Sequence, residues 1–171
     1  MSRELLVLRH AKSAWDTGAA RDFDRPLSKR GRRDAPRVGR FIGRSGLTPD
    51  YVVASPALRA RQTVIAVCAE LGIDEADIHW DERIYHAATG TLMDVLAQSP
   101  EDAQRVLIAG HNPGLESLVQ NLCRDRVPMP DDWKLMPTAA LAHLAIPTSW
   151  AELDGGTAEL LSLTRARALT D

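Results

Sequence analysis

The chain is poor in cysteine. Its 171 residues hold two, Cys68 and Cys123, and neither sits in a CxxC pair. That argues against a disulfide framework or a thiolate metal site, and leaves two small buried thiols on amphipathic helices as the expectation. Long apolar runs are missing as well. Nothing approaches the roughly 18 consecutive apolar residues of a transmembrane helix. The N-terminal MSRELLVLRH has too short an apolar run for a signal peptide, and no small-residue cleavage site follows it. The expectation is a cytoplasmic chain with no membrane contact. Repeats, low-complexity segments and long linkers are absent too, so 1–171 reads as one domain built around one core. A large charge of one sign is also lacking. The net charge of −2 speaks against a nucleic-acid partner.

What charge there is lies unevenly. Residues 21–44 hold nine Lys/Arg and three Asp, whereas 70–102 hold nine acids and one Arg. The basic segment suits an acidic or phosphorylated partner. Within it, Ala35, Val38 and Ile42 form an apolar stripe, with Arg30, Arg33, Arg37, Arg40 and Arg44 on the far side. A helix over 28–45 follows, with Pro36 as either a kink or a sign that the regular part starts near Asp34.

Buried strands are expected at 4–9, 51–55 and 105–110, with further strands near 78–81, 139–146 and 158–164. After 51–55, Ser55 and Pro56 read as N-cap and first helical residue, and Gly72 as the stop. HNPGLESLVQNLC repeats the design with Asn112 and Pro113. Another helix is expected over 90–98. Residues 10–27 read as a loop and 124–138 as a Pro-rich excursion. This alternation predicts a three-layer α/β/α sandwich with a central, mostly parallel sheet.

In such sheets ligands gather at the carboxyl edge. Three strands end there on polar groups: Arg9 and His10; Ser55 to Arg59; His111 and Asn112. Two arginines, two histidines and two helix N-termini make a site for a phosphate-sized dianion. Turnover needs a nucleophile, and a neutral imidazole can supply it. Arg61 lies two residues from Arg59, turned about 200° around the helix. It is therefore assigned to solvent, and the phosphate role to Arg59.

LRHAKSAW, SPALRARQT, GHNPG and the intervening RPLSKRG, in this order, resemble the motifs of the histidine phosphatase superfamily. The resemblance covers nearly the whole chain and implies a phosphoglycerate-mutase-like fold. It implies His10 as nucleophile, with Arg9, Arg59 and His111 holding phosphate and stabilising the transition state. The backbone N–H of Asn112 is a further candidate donor. Glu82, in DERIYHA, occupies the region that often supplies the family's general acid, with Asp81 beside it. Ser13 and Lys12 are candidate phosphate contacts. Ala11 and Lys12 replace the commoner glycine, and Arg-His-Ala-Lys-Ser resembles the SixA-type phosphohistidine phosphatase branch. The short chain leaves little room for a cap over the site.

The resemblance thus implies a metal-independent phosphatase, without cofactor, acting on protein phosphohistidine, for instance on a histidine-phosphotransfer domain. One alternative is a phosphatase of small phosphate esters or nucleotides. Another is a metallophosphoesterase using His10, His111, Asp16 and Glu82, which Arg9 and Arg59 oppose by repelling a divalent cation. A third is a non-catalytic phosphoprotein-binding module. His79, His86 and His143 are assigned to surface or packing roles, Trp15 to a rim or the core, and Trp80, Trp133 and Trp150 to no function.

Overall fold

A computed structural model describes residues 2–170. Six strands form one sheet in the order β3-β2-β4-β1-β5-β6. They are β1 (Arg3–Arg9), β2 (Tyr51–Ala54), β3 (Ile78–Trp80), β4 (Arg105–Gly110), β5 (Leu141–Ile146) and β6 (Glu159–Thr164). β1 and β4, β4 and β2, and β2 and β3 pair in parallel. β5 runs antiparallel to both β1 and β6. The sheet is therefore mixed. The β5–β6 connection, with its Asp154-Gly155-Gly156 turn, brings the chain straight back, and no crossover helix intervenes.

Four helices cover the two faces: α1 (Lys29–Arg44), α2 (Leu58–Leu71), α3 (Thr89–Ala97) and α4 (Gly114–Leu122). Strand side chains alternate between the faces. Leu6 and Leu8 meet Ala35, Val38 and Ile42 of α1 and Val64 and Val67 of α2. Leu5 and Val7 meet Leu92 and Leu96 of α3 and Leu115, Leu118 and Val119 of α4. The sheet thus divides what the composition suggested as one core into two apolar layers, completing the α/β/α sandwich. Cys68 and Cys123 are buried and free.

α1 is continuous through Pro36 and is capped by Ser28, whose hydroxyl accepts from Gly31 N. Gly31 is required by contact. A Cβ there would lie 2.2 Å from the Lys12 carbonyl oxygen. Ser28 donates to that same oxygen through both its N–H and its hydroxyl. The loop after β1 is thereby clamped onto the start of α1. The basic stripe of α1 is partly neutralised, with Arg30, Arg33 and Arg37 surrounding the buried Asp34 at 3.5, 3.6 and 3.9 Å.

Candidate functional site

Three neighbouring parallel strands, β2, β4 and β1, end on one edge. Arg9 pairs with Gly110, so the next residues, His10 and His111, stand side by side. Their ring centroids are 5.2 Å apart. Both are nearly buried, at 6% and 9% exposure. Nδ1 of His10 lies 2.7 Å from the Ala11 carbonyl oxygen. A carbonyl only accepts, so Nδ1 carries the proton and Nε2 keeps a lone pair. Burial first, then the charges of Arg9, Arg59 and Arg25, push His10 down to about 4. Burial, His10 and Arg59 push His111 down to about 3. Both rings are neutral at pH 7.

The arginines are held in place. Arg9 donates from Nη1 to the Met136 carbonyl at 3.0 Å. Arg59 donates from Nη1 to the Asp22 carbonyl and from Nη2 to Asp22 Oδ2, at 2.8 and 2.9 Å. The Nε groups of Arg9 and Arg59 are buried without a protein acceptor. These residues, with Lys12, Ser13 and Arg25, line a cleft of about 220 Å³. No Asp or Glu is among its lining residues.

The cleft gathers Arg9, His10, Ser13, Arg59, His111 and Asn112, as the motifs predict. Some roles differ in detail. Ser13 is buried, and its hydroxyl accepts from Arg25 Nη1 at 3.0 Å. Asn112 does not cap α4, which starts at Gly114. Its amide Nδ2 donates instead to Glu116 and to the Met136 carbonyl. Ser55 and Pro56 likewise precede α2, which starts at Leu58. Arg61 does not line the cleft; it is half-buried, with its guanidinium 4.5 Å from the Trp80 ring.

Glu82 is a correction. It is exposed, on a single 3-10 turn over Glu82–Ile84, and does not line the cleft. Asp81 caps that turn and pairs with Arg83. Among the described residues no group of three or more His, Cys, Asp or Glu has the geometry to hold a metal ion. The set His10, His111, Asp16 and Glu82 is therefore not assembled.

Several residues at the site carry no assignment to it from the sequence: Ser55 is given only a helix cap's role, and His86 a surface or packing role. Ser55, fully buried, places its hydroxyl 2.8 Å from Nε2 of His111. Nδ1 of His111 is buried without a protein partner. Asp22 accepts from Arg59, from Arg25 at 3.0 Å and from the Tyr85 hydroxyl at 2.7 Å. The Tyr85 hydrogen bond is the largest influence holding its carboxyl far below the usual range. Trp15, His86, at φ 56, and Thr138 complete the lining. RPLSKRG pointed to the neighbourhood of Arg25. Asp22, Tyr85 and His86 lie on short turns with no periodicity to mark them.

Residues 5–127 match the model of the histidine phosphatase superfamily (branch 1). An uncharacterised protein of Mycobacterium tuberculosis is 35% identical over 158 residues, covering 90% of this chain and 96% of that one. An uncharacterised chloroplastic protein of Arabidopsis thaliana is 32% identical, covering 89% and 71%. Among solved structures, a candidate phosphohistidine phosphatase SixA from Nakamurella multipartitia superposes with a TM-score of 0.81 at 30% identity, covering 96% of each chain. A protein histidine phosphatase SixA complexed with tungstate shares the fold, with a TM-score of 0.80 at 23% identity over 96% of this chain and 98% of that one. No helix among the described residues is long and apolar enough to cross a membrane.

Proposed function

The chain belongs to the histidine phosphatase superfamily and is a phosphatase, and we propose that it hydrolyses phosphohistidine in a protein through a phosphoryl group carried on Nε2 of His10. The observation that carries the reading is a cleft with three arginines, a lysine and no carboxylate. Nε2 attacks phosphorus, and the bond from phosphorus to the leaving group breaks. Arg9, Arg59 and Nδ1–H of His111 take up charge on the equatorial oxygens. Water then attacks the phosphoryl group, the N–P bond breaks, and inorganic phosphate and neutral His10 are released.

An alkyl phosphate must expel a strongly basic alkoxide, which calls for an acid in the cleft. A phosphorylated imidazole needs none. Its second ring nitrogen takes a proton from water, and the ring departs as neutral imidazole, whose conjugate acid has a pKa of about 6.5. The similar structure named for SixA supports this substrate class. Two free, buried cysteines suit the reducing cytoplasm, where the phosphoprotein partner would be met.

The test compares a phosphohistidine protein, a phosphoaspartate protein, p-nitrophenyl phosphate and phosphoserine side by side. Phosphohistidine should turn over fast, the aryl ester more slowly and phosphoserine hardly at all. Rapid turnover of an alkyl ester with none of phosphohistidine overturns the reading. A non-catalytic binding module would leave no acid-labile phosphate on the chain after an acid quench.

A further inference from the structure

The cleft does not stand alone. Arg9, Lys12, Asn112 and Thr138 also line a second cavity of about 400 Å³ beside it. Arg30, Lys134, Pro137 and Thr138 continue that cavity into a third. The three concavities share walls and form one track leading away from the histidines.

The track is basic. The second cavity has Arg9, Lys12, Arg30 and Lys134 against a single carboxylate, Glu116, whose Oε1 is occupied by Asn112 Nδ2 and Met136 N. The third adds Arg165 and Arg167 against Asp132, which Arg165 already pairs. Lys12 and Lys134 have no carboxylate partner among the described residues. Arg165 also donates to the Lys134 carbonyl, so the loop presenting Lys134 is tied to the end of β6.

Two indoles stand out from the same surface. Trp15, on the cleft wall, is 74% exposed, and Trp133, on the second cavity, is 79% exposed. Trp133 keeps φ at 58, a left-handed conformation that costs an L side chain of this size about 1 kcal/mol or more. Arg25 stacks on Trp15 at 3.8 Å, and a small ester filling the cleft would meet that ring but leave Trp133 in water. A protein surface would cover Trp133 as well, and exposed tryptophans are typical binding anchors.

We infer that this track is the docking surface for an acidic protein face flanking the phosphorylated side chain, with Arg30 and Lys134 meeting carboxylates and Trp133 covered by the partner. The inference rests on the phosphohistidine reading and adds the partner's chemistry. The chain's own charge pattern fits it: basic segment 21–44 supplies Arg30, while the acids concentrate in 70–102.

The test uses the full chain and three probes: a phosphohistidine peptide with Asp/Glu flanks, the same peptide with neutral flanks, and free phosphoimidazole. Lys134→Glu and Trp133→Ala should each lower kcat/KM for the acidic peptide about tenfold, through KM. They should change phosphoimidazole turnover less than twofold. Arg30→Glu combined with Lys134→Glu should add to the loss, and salt should reduce the preference for acidic flanks. Equal losses on the acidic peptide and on phosphoimidazole overturn the inference, as does no loss on either. A loss confined to small bisphosphorylated molecules would also overturn it, in favour of a second-phosphate subsite. Affinity for the unphosphorylated acidic peptide, read by anisotropy, separates the two claims. If phosphohistidine is not hydrolysed, the functional reading fails. If it is hydrolysed but the peptide binds the Lys134→Glu variant as tightly as the parent, only the docking surface fails.

Discussion

The Nδ1 of His10 donates to the carbonyl of Ala11, the next residue, across 2.7 Å. One local hydrogen bond thus decides which ring nitrogen keeps its lone pair, Nε2. It also gives the Ala11 carbonyl an acceptor role, while the Ala11 N–H donates to Thr63 Oγ1 at 3.0 Å. Lys12 is fixed in turn by Ser28. The chain immediately after the histidine is therefore tied at each residue to the surrounding helices.

Phosphorylation should fall on Nε2 alone. Acid-quenched protein, digested and examined by phosphorus–nitrogen coupling in NMR, should show an Nε2 phosphoramidate on His10. His10→Ala should lose at least about a thousandfold in turnover, as expected of a nucleophile, while keeping measurable affinity for inorganic phosphate. Full turnover in that variant would remove His10 from the reaction.

The two buried rings make folding pH-dependent. Their folded pKa values, about 4 for His10 and about 3 for His111, lie below that of an unfolded imidazole. Between these values the unfolded chain binds more protons, so stability rises with pH. The contribution is complete above about pH 6.5 and is lost as pH falls toward 4. For His10 alone the loss is of the order of 3 kcal/mol. Urea midpoints should fall steeply from pH 7 to 4.5, and less steeply in His10→Gln. A flat profile in the parent chain would contradict the burial argument.

Ser55 meets His111 with its only hydroxyl. If that hydroxyl donates to Nε2, Nδ1 carries the proton and can donate to phosphate. Ser55→Ala should release this tautomer, lower kcat about tenfold to a hundredfold and change KM less. It should cost about 1 kcal/mol of stability through the lost hydrogen bond. Nitrogen NMR of His111 reads the tautomer directly. A variant that kept both kcat and the Nδ1–H form would show that Ser55 only supports the backbone.

The motifs were legible because each is local. LRHAKSAW, SPALRARQT and GHNPG each place polar residues at the end of a short apolar strand, and strand ends share an edge in a parallel sheet. Ser55 was misread for a related reason: Ser-Pro before a helix is a strong cap signal, and nothing local reveals that its hydroxyl also faces a histidine 56 residues on. Asp22 and Tyr85 meet across 63 residues from irregular turns, a pairing invisible to periodicity. Segment 124–138 contributes the Met136 carbonyl, which holds both Arg9 and Asn112. Backbone acceptors leave no trace in residue identity. Glu82 looked like an acid near a site, but the phase of a three-residue turn cannot be read from composition.

Asp22 holds Arg59 through its carbonyl and its carboxylate and is not among the residues that line the cleft. Its carboxylate is partly exposed, so its ion pairs are moderated by solvent. Asp22→Asn keeps an acceptor for Arg59 or Tyr85 but not for both with full charge. KM should rise about threefold to tenfold, with kcat less affected, and inorganic phosphate should inhibit more weakly by a similar factor. A loss of kcat comparable to that of His10→Ala would mean that Asp22 takes part in the chemistry.

Gly31 and Gly90 make a matched pair on two helices. A Cβ at Gly31 would meet the Lys12 carbonyl at 2.2 Å, whereas one at Gly90 would meet nothing within 4 Å. Gly31→Ala gains helix propensity of about 1 kcal/mol. Against that, it must push away a backbone already hydrogen-bonded to Ser28, and overpacking of this kind costs about 1–3 kcal/mol. Since 2.2 Å lies far inside contact, we expect a net loss near the upper end, a lower Tm and reduced kcat, because Lys12 follows Ala11 and His10 in the chain. Gly90→Ala has only the propensity term and should raise Tm by about 2–4 °C, with turnover unchanged. If Gly31→Ala proved as stable and active as Gly90→Ala, the clamp between α1 and the loop after β1 would not be what holds His10 in position.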